Sequence, residues 1–236
     1  MANNDRGASI CCGLVAQIFG ITALVLMLLW LLHYRDGLNL YSHDPNRVFN
    51  VHPFLMFFGF MFFLAQALIT HGGLGGALTV LIGVPCRVVA ICLGGVGIHA
   101  AVKSHHMLHF GNHTRSVHSW IGIAAFALFI FESVVWLLAC VGRVTCCNEC
   151  CDDEEPSKAA PSGRIALHIA TCAAVTGLME KASKDIADDH LRRGHRESTI
   201  INVLALFIIL FTATVDMSVL SGSFARAISS TTRSVA

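Results

Sequence analysis

Six stretches of this chain run nearly free of charge for close to the length of a bilayer crossing: 10–32, 49–70, 78–102, 119–142, 165–179 and 199–220. A hydrocarbon core of roughly 30 Å is crossed by about 20 apolar residues rising about 1.5 Å each, so each stretch is read as a membrane helix. The first carries no charge, the third holds only Arg87, the fourth only Glu132 and the sixth only Asp216. The fifth is the shortest and most polar, with His168, Thr171 and Thr176. Short loops force sequential neighbours to run antiparallel. The expected fold is therefore all-α, an integral membrane bundle of six helices over 10–221, with small polar tails at 1–9 and 222–236. The first run is longer than the apolar core of a secretory signal and no small-residue cleavage site follows it, so it is read as a permanent helix.

Composition agrees. Only 13% of the residues are Asp, Glu, Lys or Arg, against about 25% in soluble proteins. A formal charge of +1 removes any electrostatic case for nucleic acid. Thirteen histidines against two tyrosines are the anomaly, because histidine inside a membrane is costly and points to ligation or proton handling.

Orientation is pulled two ways. Arg6, Arg143, Lys158, Arg164, Arg226 and Arg233 lie on the side of the N-terminus. Arg35, Arg47, Lys103, Arg115, Lys181, Lys184, Arg192, Arg193 and Arg196 lie opposite, which favours an external N-terminus. The crowded thiols of CCNECCDDEEP, at Cys146, Cys147, Cys150 and Cys151, suit a reducing compartment or juxtamembrane acylation instead and favour cytosolic termini. That run is too cramped for a four-thiolate zinc site. The remaining cysteines read as small helix-packing residues.

His52 stands just inside the second run and His118 just before the fourth, at the same end of two helices running in the same direction. They are level. Two imidazoles facing each other across a bundle at one depth are what a haem with two axial histidines requires, although a helix-end histidine also serves as a hydrogen-bonded interface residue.

The surrounding residues carry more. HYRDGL at 33–38, FNVHPFLMFFGF at 49–60, SVHSWIG at 116–122, TGLMEK at 176–181 and IINVLAL at 200–206 stand in this order and spacing. They resemble the cytochrome b561 family, six-helix membrane oxidoreductases that pass electrons from ascorbate through b-type haems to an acceptor across the membrane. The likeness covers residues 10–221. It implies that His52 and His118 are axial ligands of haem b, and that His105, with Arg115 nearby, belongs to the substrate face on that side.

The family holds a second haem with histidines near the starts of the third and fifth helices. Here the equivalent positions are Gly83 and Ala159. His99 and His168 are the substitutes available, yet by helical rise they differ in depth by roughly 10 Å. Membrane-embedded charges pair inside bundles, so Arg87 is expected to pair with Glu132, with or without Asp216, as a structural cluster where that haem would sit, the alternative being that each snorkels to an interface. The family's basic ascorbate site after the second helix is absent from ITHGGLGG at 69–76, where His71 is the polar handle.

His105, His106, His109 and His113 crowd the third loop. They are either a transition-metal site or a solvated histidine-rich loop. If metal binds there, ferric or cupric ion is the natural acceptor.

The leading expectation is a membrane b-type cytochrome with one firm haem, passing single electrons from ascorbate to monodehydroascorbate or a ferric chelate in an endomembrane or the plasma membrane. The alternative to a single haem is a second one held in another register of the fifth helix, beginning near Ser162. The competing reading is a catalytically degenerate relative that keeps haem or metal for sensing or assembly. A metal-ion channel lacks a polar stripe through the spans. Oligomeric state, a homodimer included, is not fixed by the sequence.

Overall fold

The computed structural model describes residues 2–73, 77–108, 116–145, 160–188 and 191–235. Helices α1 (Ala2–Leu29), α2 (Pro45–Phe49), α3 (Val51–Phe54), α4 (Phe63–Gly73), α5 (Ala77–Met107), α6 (Val117–Thr145), α7 (Ala160–Asp188) and α8 (Leu191–Val235) follow one another, and no strand occurs among the described residues. Six segments are long and apolar enough to cross a membrane: Gly7–Tyr34, Pro45–His71, Leu78–Met107, Val117–Gly142, Gly163–Ala182 and Arg196–Ala225. The protein is an integral, multi-pass membrane protein. The fifth span, short and polar in sequence, is a full-length helix because its apolar residues Ala166, Leu167, Ala170 and Leu178 are buried against the bundle.

The tails drawn at 1–9 and 222–236 are continuous with the bundle. Helix α1 starts at Ala2 and α8 runs to Val235, since extending an existing helix costs far less than nucleating one. Ser9, buried at the start of the first span, and Ser218 exchange hydrogen bonds, each hydroxyl donating to the other's carbonyl at 2.9 and 2.8 Å. They stitch α1 to α8, the most extensive interface of the bundle. Gln17 and Gln66 likewise exchange side-chain amide bonds at 3.1 Å between the first and second spans. In lipid such polar groups have to find protein partners.

Two local features shape the end of the bundle that carries His52. The first span closes in a π-helical turn, Trp30–Tyr34. The chain then passes through two left-handed residues, Asp36 (φ 56°) and Gly37 (φ 86°). The side-chain amide of Asn50 donates to the Arg35 and Gly37 carbonyls at 2.8 and 2.7 Å and locks this turn. Buried Glu197 accepts from Trp30 Nε1 and pairs with Arg35 Nε, both at 2.7 Å. The HYRDGL segment is thus a helix stop bolted to the residue two places before His52 and to α8. Beyond Pro53 the second span is π-helical over Leu55–Phe62, a form concentrated near functional sites.

The core is aromatic: Phe57, Phe60, Phe129 and Phe211 are buried, with Phe60 against Phe126 and Phe129, and Phe62 stacked on Phe211. Glycines bring backbones together where these rings leave no room. A β-carbon on Gly59 would collide with Leu93 of α5, whereas one on Gly95 would meet nothing. Gly59→Ala is therefore expected to cost about 1–3 kcal/mol by overpacking, and Gly95→Ala to be close to neutral. Thermal unfolding of the two variants in detergent, followed by tryptophan fluorescence, checks this. Equal melting temperatures would show that the second and third spans are not held at this approach.

Candidate functional site

Helix direction brings His52 and His118 together. Their ring centroids lie 6.0 Å apart with the planes at 82°. Each ring is fastened by its inner nitrogen to a main-chain carbonyl of another span: His52 Nδ1–H donates to Gly97 O of α5 at 3.0 Å, and His118 Nδ1–H to Ala173 O of α7 at 2.7 Å. A carbonyl only accepts, so these contacts put the proton on Nδ1 and leave the Nε2 lone pair of each neutral ring for a ligand. With metal–nitrogen bonds of about 2 Å, an ion shared by two imidazoles holds their centroids roughly 6 Å apart. The donor set and its spacing fit an iron that the two rings would hold between them.

Phe49 flanks this pair, 5.7 Å from His52. His105 meets Phe49 edge-on at 6.4 Å, and Lys181 Nζ lies 5.6 Å above the same ring. Lys103 donates to Leu40 O at 2.7 Å, and Ser104 to Pro45 O at 2.7 Å, tying the end of α5 over this face. His106 is exposed. His109, His113 and Arg115 lie outside the described residues, as do Ala159 and the CCNECCDDEEP run. Among the described residues no group of three or more metal-binding side chains occurs.

His99 and His168 are not brought to a common interior site: both are exposed. His168 Nδ1–H is satisfied one turn back, on Arg164 O at 2.8 Å. Cys11, Cys92 and Cys172 are exposed thiols rather than interior packing residues.

A second polar layer lies deeper. Arg87 Nη2 donates to Glu132 Oε1 at 3.2 Å, both side chains being almost fully buried. The Arg87 guanidinium stacks on Trp136 at 4.1 Å from the ring centroid. Gly83 packs beneath them, where a β-carbon would stand 3.3 Å from Arg87 Nη1 and 3.4 Å from Trp136 Cη2. Asp216 does not join this cluster. It forms a bidentate pair with Arg164, one arm Nη2 to Oδ2 at 2.9 Å, beside a cavity of about 420 Å³ lined also by His168. The two arginines partition the two carboxylates because Arg164, near the start of the fifth span, meets the sixth span directly. Trp136 was legible one helical turn past Glu132, at i+4 on the same face. Gly97 and Ala173 act through their backbones and left no side-chain signal.

Residues 51–184 match the family described as eukaryotic cytochrome b561. Among similar proteins, a transmembrane ascorbate ferrireductase 2 of Arabidopsis thaliana is 28% identical over 214 residues, 88% of this chain and 90% of the relative. A probable ascorbate-specific transmembrane electron transporter 1 of Oryza sativa subsp. japonica is 28% identical over 222 residues, covering 88% of each chain. A plasma membrane ascorbate-dependent reductase of Mus musculus is 30% identical over 51% of this chain and 42% of its own. With more than half of its length inside the family match and a level, carbonyl-anchored histidine pair in its bundle, the chain belongs to the eukaryotic cytochrome b561 family.

Proposed function

We propose that the protein is a membrane oxidoreductase, a b-type cytochrome that moves single electrons from ascorbate to monodehydroascorbate or a ferric chelate, with one haem b held between His52 and His118. The observation that carries the reading is the pair of rings 6.0 Å apart, each fixed through Nδ1 to a carbonyl. Held there by His52 and His118, haem would supply a reversible one-electron couple suited to electron exchange. The protein contributes orientation of both imidazoles and a packed aromatic surround. At the mouth, Lys181 and His105 around Phe49 offer cationic and hydrogen-bonding groups to an anionic donor such as ascorbate. Ascorbate gives up one electron and a proton to become monodehydroascorbate, and a ferric chelate accepts the electron to become ferrous. The relatives named as reductases and electron transporters favour this reading over a degenerate sensor.

The deeper layer supports one haem per chain. Arg87 and Trp136 occupy the space beside Gly83, so a histidine at 83 has no room to reach a porphyrin. An iron near one face favours donor and acceptor exchange at that face.

A haem assay with a reduced-minus-oxidised spectrum tests the centre. One haem per chain is expected, lost in His52→Ala and in His118→Ala, and two haems per chain would overturn the single-centre reading. Rapid reduction of the purified haem by ascorbate is expected, and a haem inert to ascorbate would return the sensor reading to first place. Arg87→Ala is expected to cost about 3–5 kcal/mol by stranding Glu132 while leaving the haem content unchanged. Unaltered stability in a detergent melt would dismiss the cluster as a structural element.

A further inference from the structure

We propose that the fifth span, through the Ala173 carbonyl and the bare backbone at Gly177, is the positioning element that fixes the orientation of the His118 imidazole. The inference rests on the reading of His118 as a haem ligand.

Ala173 and Gly177 are four residues apart and so lie on one face of α7, one turn from each other. The carbonyl of the first accepts the His118 Nδ1–H at 2.7 Å. The second gives the ring its space: a β-carbon there would stand 2.7 Å from Cε1, 2.8 Å from Nδ1 and 3.2 Å from Nε2 of His118. Separations under 3.0 Å from a rigid ring are not relieved by a small adjustment, so any side chain at 177 turns the imidazole or pushes the helices apart. The ring is thereby held on one edge by the carbonyl and packed against the glycine, at 82° to His52.

A third residue modulates the anchor. The single Thr176 hydroxyl proton is shared between Cys172 O at 2.8 Å and the same Ala173 carbonyl at 3.0 Å. A carbonyl that accepts its own helical N–H and is then shared by two side-chain donors holds each of these less firmly. Removing the hydroxyl strengthens the His118 bond, increases the negative character of the imidazole and favours ferric over ferrous iron.

The test uses the full-length protein purified in detergent. Gly177→Ala is expected to keep a haem signal while shifting the g values of its low-spin ferric EPR spectrum, which report the relative orientation of the two ligand planes. It is also expected to lower haem affinity about 10- to 100-fold. Gly122→Ala, in the same layer but with only an ordinary 3.9 Å contact to Ala173 Cβ, is expected to leave both unchanged. Thr176→Val is expected to lower the midpoint potential at full haem occupancy. Wild-type g values and affinity in Gly177→Ala would overturn the proposal. Should that variant fail to assemble, an unaltered potential in Thr176→Val would overturn it instead. His118→Ala separates the two levels of argument. Retention of a six-coordinate haem there would sink the ligand reading itself, whereas loss of haem there with an unperturbed Gly177→Ala spectrum would sink only the positioning role.

Discussion

Two hydrogen bonds to backbone carbonyls, one from each imidazole, tie four of the six spans into one frame. His52 rises from the second span and is held by the third, through Gly97 O; His118 starts the fourth and is held by the fifth, through Ala173 O. Helical carbonyls retain a second lone pair after accepting their own backbone bond, so neither anchor breaks the helix that provides it. Within lipid no water competes for that lone pair. The arrangement fixes tautomer, ring direction and the register of neighbouring helices together, and a slip of one residue in the third or fifth span would turn an acceptor away from its ring.

The other half of the bundle solves a different problem. A polar layer of Arg87, Glu132 and Trp136 fills a deeper level of the bundle. Burying an ion pair gains little stability against an apolar filling, yet removing one member leaves a stranded charge. Stacking on Trp136 adds a cation–π contribution that is largest where water is excluded. The layer therefore fills this depth with protein, and at Gly83 a larger side chain would press on the arginine and the indole.

Much of this was written in the sequence because membranes make hydrophobic patterning explicit. Uncharged length marked the spans, and counting residues from the ends of two helices running the same way put His52 and His118 at one level. The Arg87–Glu132 pair followed from depth, since an arginine early in the third span and a glutamate late in the fourth approach the same end. Depth does not fix azimuth. Asp216 has a suitable depth but faces Arg164 on the fifth span, and no pattern in the sixth span told which side it takes. His99 and His168 were chemically suitable and face outward for the same reason. The carbonyl anchors carry no side chain to read, and the π-helical stretch at Leu55–Phe62 arises from packing of the Phe-rich segment that composition alone does not specify.

The two polar layers divide the labour of the bundle along its axis. Glu132 stands fourteen residues after His118 on one continuous helix, which at about 1.5 Å per residue separates them by roughly 21 Å. An arginine and a carboxylate have no accessible second oxidation state, so this ion pair serves packing and charge balance. The face with His52, by contrast, gathers several devices that fix geometry: the Asn50-locked turn after the first span, the Glu197 link from Trp30 and Arg35 to α8, and Lys103 and Ser104 tying the end of α5 to the segment before His52. Rigidity at that end lowers the rearrangement that would accompany each electron under the proposed function. The two ends of the bundle are thus built differently, with level, carbonyl-anchored histidines at one and a packed, buried ion pair toward the other.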